Sequence, residues 1–504
     1  VTRVAVLGAG PAGVGAAYLL AKRGLSVTLV EQKASVGGNA GSFELDGVRC
    51  DYGSHRLHPA SDAEVLGLIR ERLGADLLTR PRHGRIRLSG RWIHFPLRAL
   101  DLALRTHPRF GAGVARDLAA KLIPGRAPGK PRSEAQARAE NQRGSEESFA
   151  TVLRGGLGKT ICEEFYFPYA RKVWGLAPEE MSPIQARRRV SSGSIGKLLK
   201  RLLPGGGSGG GASTKGVFYY PRGGFGQISE AFAAGALEHG AQLMLGTSVT
   251  KLRLGERFHQ VELEIAGKRP EAARSEPQAS GVDTEGKCGV SAEHVWSTLP
   301  IPLLARVCEP SAPAQVLAAA RSLRFRAMLL VYLVLDADQF TEYDAHYFPG
   351  ADLRITRLSE TKNYYATSEP RGTTVLCAEL PCQTEDAVWS MSDRELGALV
   401  QEDLARAGIP VRANVRRAHA QRLSHAYPLY PIGYEQHFAT LDAWADSLPR
   451  VLSFGRQGLF AHDNTHHALF MALCASRCLA DGGDFDEAQW QAHRRVFETH
   501  VVED

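Results

Sequence analysis

An α/β fold, in which a parallel sheet is interrupted by an inserted α+β domain and a helical subdomain, is what this 504-residue sequence predicts. Three observations predict it. The opening "VAVLGAGPAGVGAAYLLAKRGLSVTLVEQ" runs strand, glycine loop, helix, strand. Near the far end, "RVLSFGRQGLFAHDNTHHALF" again runs strand, glycine turn, helix. Between them, runs such as "AMLLVYLVLD" and "TTVLCAELPC" have the β-rich density of a second sheet.

The opening element reads as a dinucleotide-binding βαβ unit of the Rossmann-like kind. Val4–Leu7 form a buried parallel strand, Gly8, Gly10 and Gly13 follow at once, and Pro11–Arg23 have helical periodicity. Ser26–Val30 form a second β-branched run closed by Glu31. Gly8 permits the tight turn, Gly10 lets backbone approach a pyrophosphate, and Gly13 allows close helix–strand packing. The helix N-terminus offers unpaired N–H groups and a positive dipole to phosphates. Glu31 accepts hydrogen bonds from a ribose diol and repels a 2′-phosphate. A secretory signal needs an unbroken apolar centre, which the glycines and Pro11 interrupt. A membrane span needs about 20 uninterrupted apolar residues, and the chain has no such run.

Composition fits an enzyme with a sizeable core: 44% of residues are apolar. The net charge of +7 comes mainly from residues 105–143 and 187–201, read as solvated basic segments and not as a nucleic-acid stripe. Eight cysteines without C-x-x-C spacing argue against zinc and against a disulfide scaffold, and so for a reducing, cytoplasmic compartment. Cys474 and Cys478 share a helix face and read as core.

The residues after Glu31 decide which dinucleotide is bound. "EQKASVGGNAGSFELDGVRCDYGSHRLHP" adds a second glycine pair, Gly37 and Gly38, then Gly41-Ser42, a hairpin and "DYGSH". An NAD-dependent dehydrogenase has no need of this loop, whereas the longer flavin cofactor does. Here the chain resembles the glutathione-reductase-like FAD family, and within it the amine oxidase, protoporphyrinogen oxidase and UDP-galactopyranose mutase group. The resemblance implies FAD, held by Gly8, Gly10, Pro11, Ala12, Gly13, Glu31, Gln32, Gly37, Gly38 and Asn39. It lays Gly53, Ser54 and His55 against the isoalloxazine and Val249 against the adenine. From the C-terminal segment it adds Gly455, Arg456, Gly458 and Asn464, with a helix from about Thr465 directed at the flavin pyrimidine.

The FAD-binding domain is accordingly discontinuous. Its first segment is 1–90, its second, with linkers, is 204–310, and its third is 441–504. A mainly helical cap at 91–203 and a β-rich substrate domain at 311–440 lie between them. Residues 125–148, 204–213 and 266–289 are polar or glycine-rich and read as loops or additions.

Substrate contacts come from less specific segments. "FYFPYARKVWGLAPEEMSPIQARRRV" resembles the mutase segment whose Tyr and Trp line the substrate's nucleotide pocket, here Tyr169 and Trp174. "ADLRITRLSETKNY" implies Arg357 as a diphosphate contact, with a surface ion pair to Glu360 as the plainer reading. "AYPLYPIGYE" implies Tyr430 as a substrate-site tyrosine. His55, Arg357 and Tyr430 are the expected catalytic residues, and His462 joins Tyr169, Trp174, Arg357 and Tyr430 at the substrate. The cluster His462, His466, His467 has no fitting carboxylate or cysteine spacing, so no metal is expected there. "FAHDNTHH" also departs from the tyrosine and D-M-D run of the mutases, and one member of the arginine run 187–189 lies near a catalytic arginine.

Two enzymatic functions stay open, beside a non-enzymatic reading as an FAD-stabilised binding protein. In one, an FAD-dependent oxidoreductase passes hydride from a small organic substrate, anionic or strongly polar, to flavin N5. In the other, a mutase-like isomerase rearranges a sugar nucleotide without net redox. Two leucine-and-lysine/arginine segments, 95–110 and 194–207, admit weak peripheral membrane contact or packing on the substrate domain.

Overall fold

The computed structural model describes residues 1–96, 101, 104–122, 147–189, 216–265, 287–365 and 367–502. The continuous apolar run of the first strand, β1 (Arg3–Leu7), is explained by burial on both faces, as parallel sheets require. β1 is the centre of a five-stranded sheet ordered Val451–Ser453, His294–Ser297, β1, β2 (Ser26–Val30), Gln242–Met244, and every pairing is parallel. The sheet is thus assembled from four distant stretches of chain, in register Ala5↔Val295 and Trp296↔Leu452. The helix α1 (Pro11–Lys22) connects β1 to β2 and packs against helices Gln227–Glu238 and Thr465–Cys478. Their apolar faces make the largest core, around Tyr18, Phe232, Trp296 and Met471. Cys474 and Cys478 are buried in it, and all eight cysteines are free.

A second, antiparallel sheet lies on the same cofactor half: Lys287–Ala292, His259–Ile265 and Thr247–Arg253, with Cys308–Glu309 added in parallel. The third is the seven-stranded sheet of the substrate half. Its central strand, Phe325–Leu335, is buried along ten of its eleven residues because it is paired on both edges and covered on both faces. Val415–Pro428 lies on one side, and Thr374–Cys382, Arg357–Glu360 and Ala345–Tyr347 follow on the other.

That sheet corrects the first domain boundary. The hairpin Gly84–Leu88/Arg91–Phe95 straddles residue 90 and extends the substrate sheet, pairing Ala345↔Gly84 in parallel. It does not belong with the cofactor half. The pairing spans some 260 residues, so local pattern carries no trace of it.

The cap contributes helices Pro108–Leu122, Phe149–Leu157, Phe167–Trp174 and Pro183–Arg189. Ser148 caps the second through a reciprocal capping box with Thr151. Of the two amphipathic segments, 194–207 lies outside the described residues, as do 97–100 and 102–103 of the other. The three polar or glycine-rich stretches also fall wholly or largely outside them. Among the described residues no helix is long and apolar enough to cross a membrane.

Candidate active site

A cavity of about 440 Å³ runs from the C-terminal edge of the parallel sheet to the face of the seven-stranded sheet. At its first end the glycines divide the labour. Gly8 adopts a φ of +96°, and a Cβ on Gly13 would stand 1.8 Å from the Gly8 carbonyl oxygen, so the protein itself demands both. A Cβ on Gly10 would meet no protein atom within 4 Å, because it would project into the cavity. No protein contact requires glycine there, and a side chain would take up cavity space. Gly10 is also the N-cap of α1 and brings no capping side chain, which leaves the first helical N–H groups for a ligand. Glu31, buried beside them, accepts the N–H of Ala9 at 2.8 Å and that of Lys33 at 2.9 Å. Its carboxylate therefore braces the loop and lines the cavity at once. These features fit a dinucleotide, with pyrophosphate at Gly10 and α1 and a ribose at Glu31.

The second glycine loop rests on the first. Gly37 N–H donates to Ala9 O at 2.8 Å, and Gly38 comes within 3.2 Å of Gly10 Cα, measured from an added Cβ. Gln32, Gly38 and Asn39 line the cavity, as do Pro11, Ala12 and Val249. Gly13, Gly37, Gly455 and Gly458 do not; they stand behind its wall, where they allow close approach. An added Cβ on Gly455, for instance, would lie 2.8 Å from the Ala12 Cβ.

Beyond these loops the turn Gly53-Ser54-His55 faces the cavity, and a buried network holds it. Asp51 accepts from Ser42 Oγ at 2.6 Å, Tyr220 OH at 2.5 Å and Phe225 N at 2.9 Å. Burial raises its pKa and those hydrogen bonds oppose the rise. His55 Nε2 lies 2.9 Å from Tyr52 O and 3.0 Å from Asn39 O, and its ring stacks on Phe225. Nε2 therefore carries the proton toward those carbonyls. Burial lowers the His55 pKa, which keeps the ring neutral.

Arg357 is buried and paired, but with Glu379 and not Glu360. Its Nη2 stands 2.8 Å and its Nε 2.9 Å from Glu379 Oε1. Burial alone would lower the Arg357 pKa; Glu379 and three tyrosines outweigh it and raise it. Glu360 accepts instead from Phe340 N, Thr341 N and Thr374 Oγ1. No sequence motif marks Glu379. It also accepts the Ser54 N–H at 2.9 Å, and so joins the substrate sheet to the turn.

Tyr169 and Trp174 come from helix Phe167–Trp174, and Trp174 meets His462 edge-on at 6.2 Å. His462 also lies against Tyr427 at 5.8 Å, and its Nε2 bonds Pro428 O at 2.8 Å. All three line the cavity, as does Tyr427, which sequence reasoning misses. Tyr430 is a correction. Its hydroxyl donates to Phe460 O at 2.6 Å and its ring stacks on Tyr434 at 4.2 Å, so it is packed in the core and is not among the residues that line this cavity. Arg456 donates to Asp463 O and Ala426 O, and Asn464 is the N-cap of helix Thr465–Cys478, with its own N–H donating to His467 Nδ1. Of the arginine run, Arg188 comes near Tyr430, with Nη1 3.5 Å from its hydroxyl.

The expected histidine cluster is divided. His462 joins the aromatic box, while His467 meets Asp463 and His500, each offering a ligand atom within 4.8 Å of the others. The two imidazoles stack at 4.2 Å and 13°, so their lone pairs lie in separate, nearly parallel planes that share no common point near the rings. They cannot meet one ion at the roughly 2.0–2.1 Å a zinc–imidazole bond needs.

A glycine-cradled nucleotide end joined to an aromatic, arginine-bearing end beneath a separate sheet is the build of a dinucleotide-dependent oxidoreductase. The chain belongs to the flavin containing amine oxidoreductase family, whose model matches residues 11–469. The cofactor of that family is a flavin. The chain is 27% identical over 214 residues to the mitochondrial protoporphyrinogen oxidase of Nicotiana tabacum, an alignment covering 40% of each chain. Among solved structures it is similar to reduced UDP-galactopyranose mutase (TM-score 0.73, 18% identity, 100% of both chains). It is similar also to putrescine oxidase bound to putrescine (TM-score 0.60, 18% identity, 94% of this chain and 98% of that one). At that identity the structural likenesses establish the fold.

Proposed function

We propose that the enzyme dehydrogenates a small organic substrate that carries a polar or anionic group, held between Arg357 and the aromatic residues Tyr169, Trp174, Tyr427 and His462. FAD, when bound, supplies the hydride acceptor. Arg357 spends Nε and Nη2 on Glu379, and Nη1, which has no hydrogen bond among the described residues, is left for a substrate oxygen. Six cationic residues line the cavity (Lys33, Arg56, Arg82, Arg357, Arg422, Arg456) against three carboxylates (Glu31, Glu379, Asp463), which favours an anionic partner. His55 and the Ser54 N–H, held by carbonyls and by Glu379, keep the turn rigid beside the reacting atoms. The aromatic box excludes water from them. The observation that carries this reading is the continuity of one cavity from Gly10 and Glu31 to Arg357 and Trp174.

Anaerobic mixing with amines and with carboxylated precursors, followed through the flavin absorbance, tests it. Bleaching by one of these classes is the expected result. Turnover seen only after dithionite reduction, with no net oxidation, would replace the reading with a mutase-like isomerisation.

A further inference from the structure

After helix Glu487–Phe497 the chain makes one turn and runs as irregular backbone to residue 502. Val502 is buried and lines the same cavity as Trp174 and His462. Its N–H donates to Arg188 O at 3.0 Å, on the cap helix Pro183–Arg189. Two residues earlier, His500 Nδ1 lies 3.3 Å from Asp463 Oδ2 and its ring stacks on His467 at 4.2 Å. The segment therefore crosses from the cofactor half to the cap and, among the described residues, is tied at each side by one hydrogen bond. Asp463 is itself buried and lines the cavity, and its other oxygen, Oδ1, has no hydrogen-bond partner among the described residues. His500 is thus the hydrogen-bond donor to that carboxylate.

We propose that Val502 is a specificity-determining wall of the substrate cavity and that His500, clasped on Asp463 and His467, is the positioning residue that holds it there. The inference rests on the cavity being the flavin site. Irregular backbone with two anchoring bonds is the low-stability kind of structure that opens locally. An apolar branched side chain at that place limits the length of substrate that the aromatic end accepts, and release of the clasp removes the limit.

The test uses the full chain loaded with FAD. Val502→Cys gives the wall a thiol; of the eight native cysteines seven are buried and Cys288 is half-buried, so background is low. Labelling by a thiol reagent should be slow, and adding His500→Leu, which keeps packing on Phe497 and Phe470, should speed it about tenfold, as for one lost hydrogen bond to a charged group. His500→Asn, which restores a donor near Nδ1, should return the slow rate. Separately, acrylamide quenching of the bound flavin should rise in Val502→Ala and fall in Val502→Trp. Labelling unaffected by His500→Leu overturns the clasp, and quenching unaffected at both Val502 variants overturns the wall. A chain that takes up no FAD would overturn the flavin reading instead, and the labelling experiment still decides the clasp.

Discussion

Arg357 Nη2 stands 2.8 Å from Glu379 Oε1, and the same carboxylate oxygen receives the Ser54 N–H at 2.9 Å. One oxygen thereby ties the substrate sheet, the arginine and the turn expected at the flavin ring. Removing either charge leaves the other buried, at about 3–5 kcal/mol. Glu379→Gln should therefore unfold at markedly lower denaturant, and Glu379→Gln with Arg357→Met should recover part of the loss. A double variant no better than the single one would show that the pair is not coupled.

Gly10 and Gly13 should fail in different ways. Gly10→Val should leave the apoprotein's melting temperature near that of the parent and abolish FAD retention, because its side chain fills ligand space only. Gly13→Ala drives a methyl into the Gly8 carbonyl and should destabilise the chain itself. Equal flavin content in Gly10→Val and the parent would overturn the pyrophosphate assignment.

Tyr430→Phe removes a hydroxyl that serves Phe460 O. A cost of about 1 kcal/mol and unchanged KM are expected, since the ring stays on Tyr434. A large rise in KM would return Tyr430 to the substrate.

Acid should weaken the fold through buried histidines. Burial lowers the pKa of His466 to about 4 and of His467 and His346 to about 3, from the ordinary 6.5. The unfolded chain takes up these protons below 6.5 and the folded chain does not. Stability is then full above about 6.5 and is lost as pH falls toward about 4 for His466 and about 3 for His467 and His346. At pH 5 each histidine contributes a loss of up to about 2 kcal/mol, less where His466 and His467 interact. Thermal melts across this range should show the decline, and His346→Leu should flatten it.

The βαβ unit was legible in the sequence because its contacts are local. Gly8, Gly10, Gly13 and Glu31 belong to one βαβ unit, and a ligand that meets backbone requires glycine at fixed places in it. Tyr169, Trp174, Arg357 and His462, which the patterns of their flanking segments single out, all line the cavity. Which way each side chain turns is another matter. Tyr430 sits in a segment that resembles a substrate contact, yet packing against Tyr434 and the Phe460 carbonyl turns it inward. Glu379 lies 325 residues from Ser54, Tyr220 lies 169 from Asp51, and His500 lies 37 from Asp463. No local periodicity encodes such pairs, because sheet register and burial select them only when distant strands and helices meet. The same reason places the 84–95 hairpin on the substrate sheet. The sequence by itself determined the glycine-rich turn at the edge of the parallel sheet; tertiary structure alone decided which carboxylate meets Arg357 and which residues come together to line the cavity.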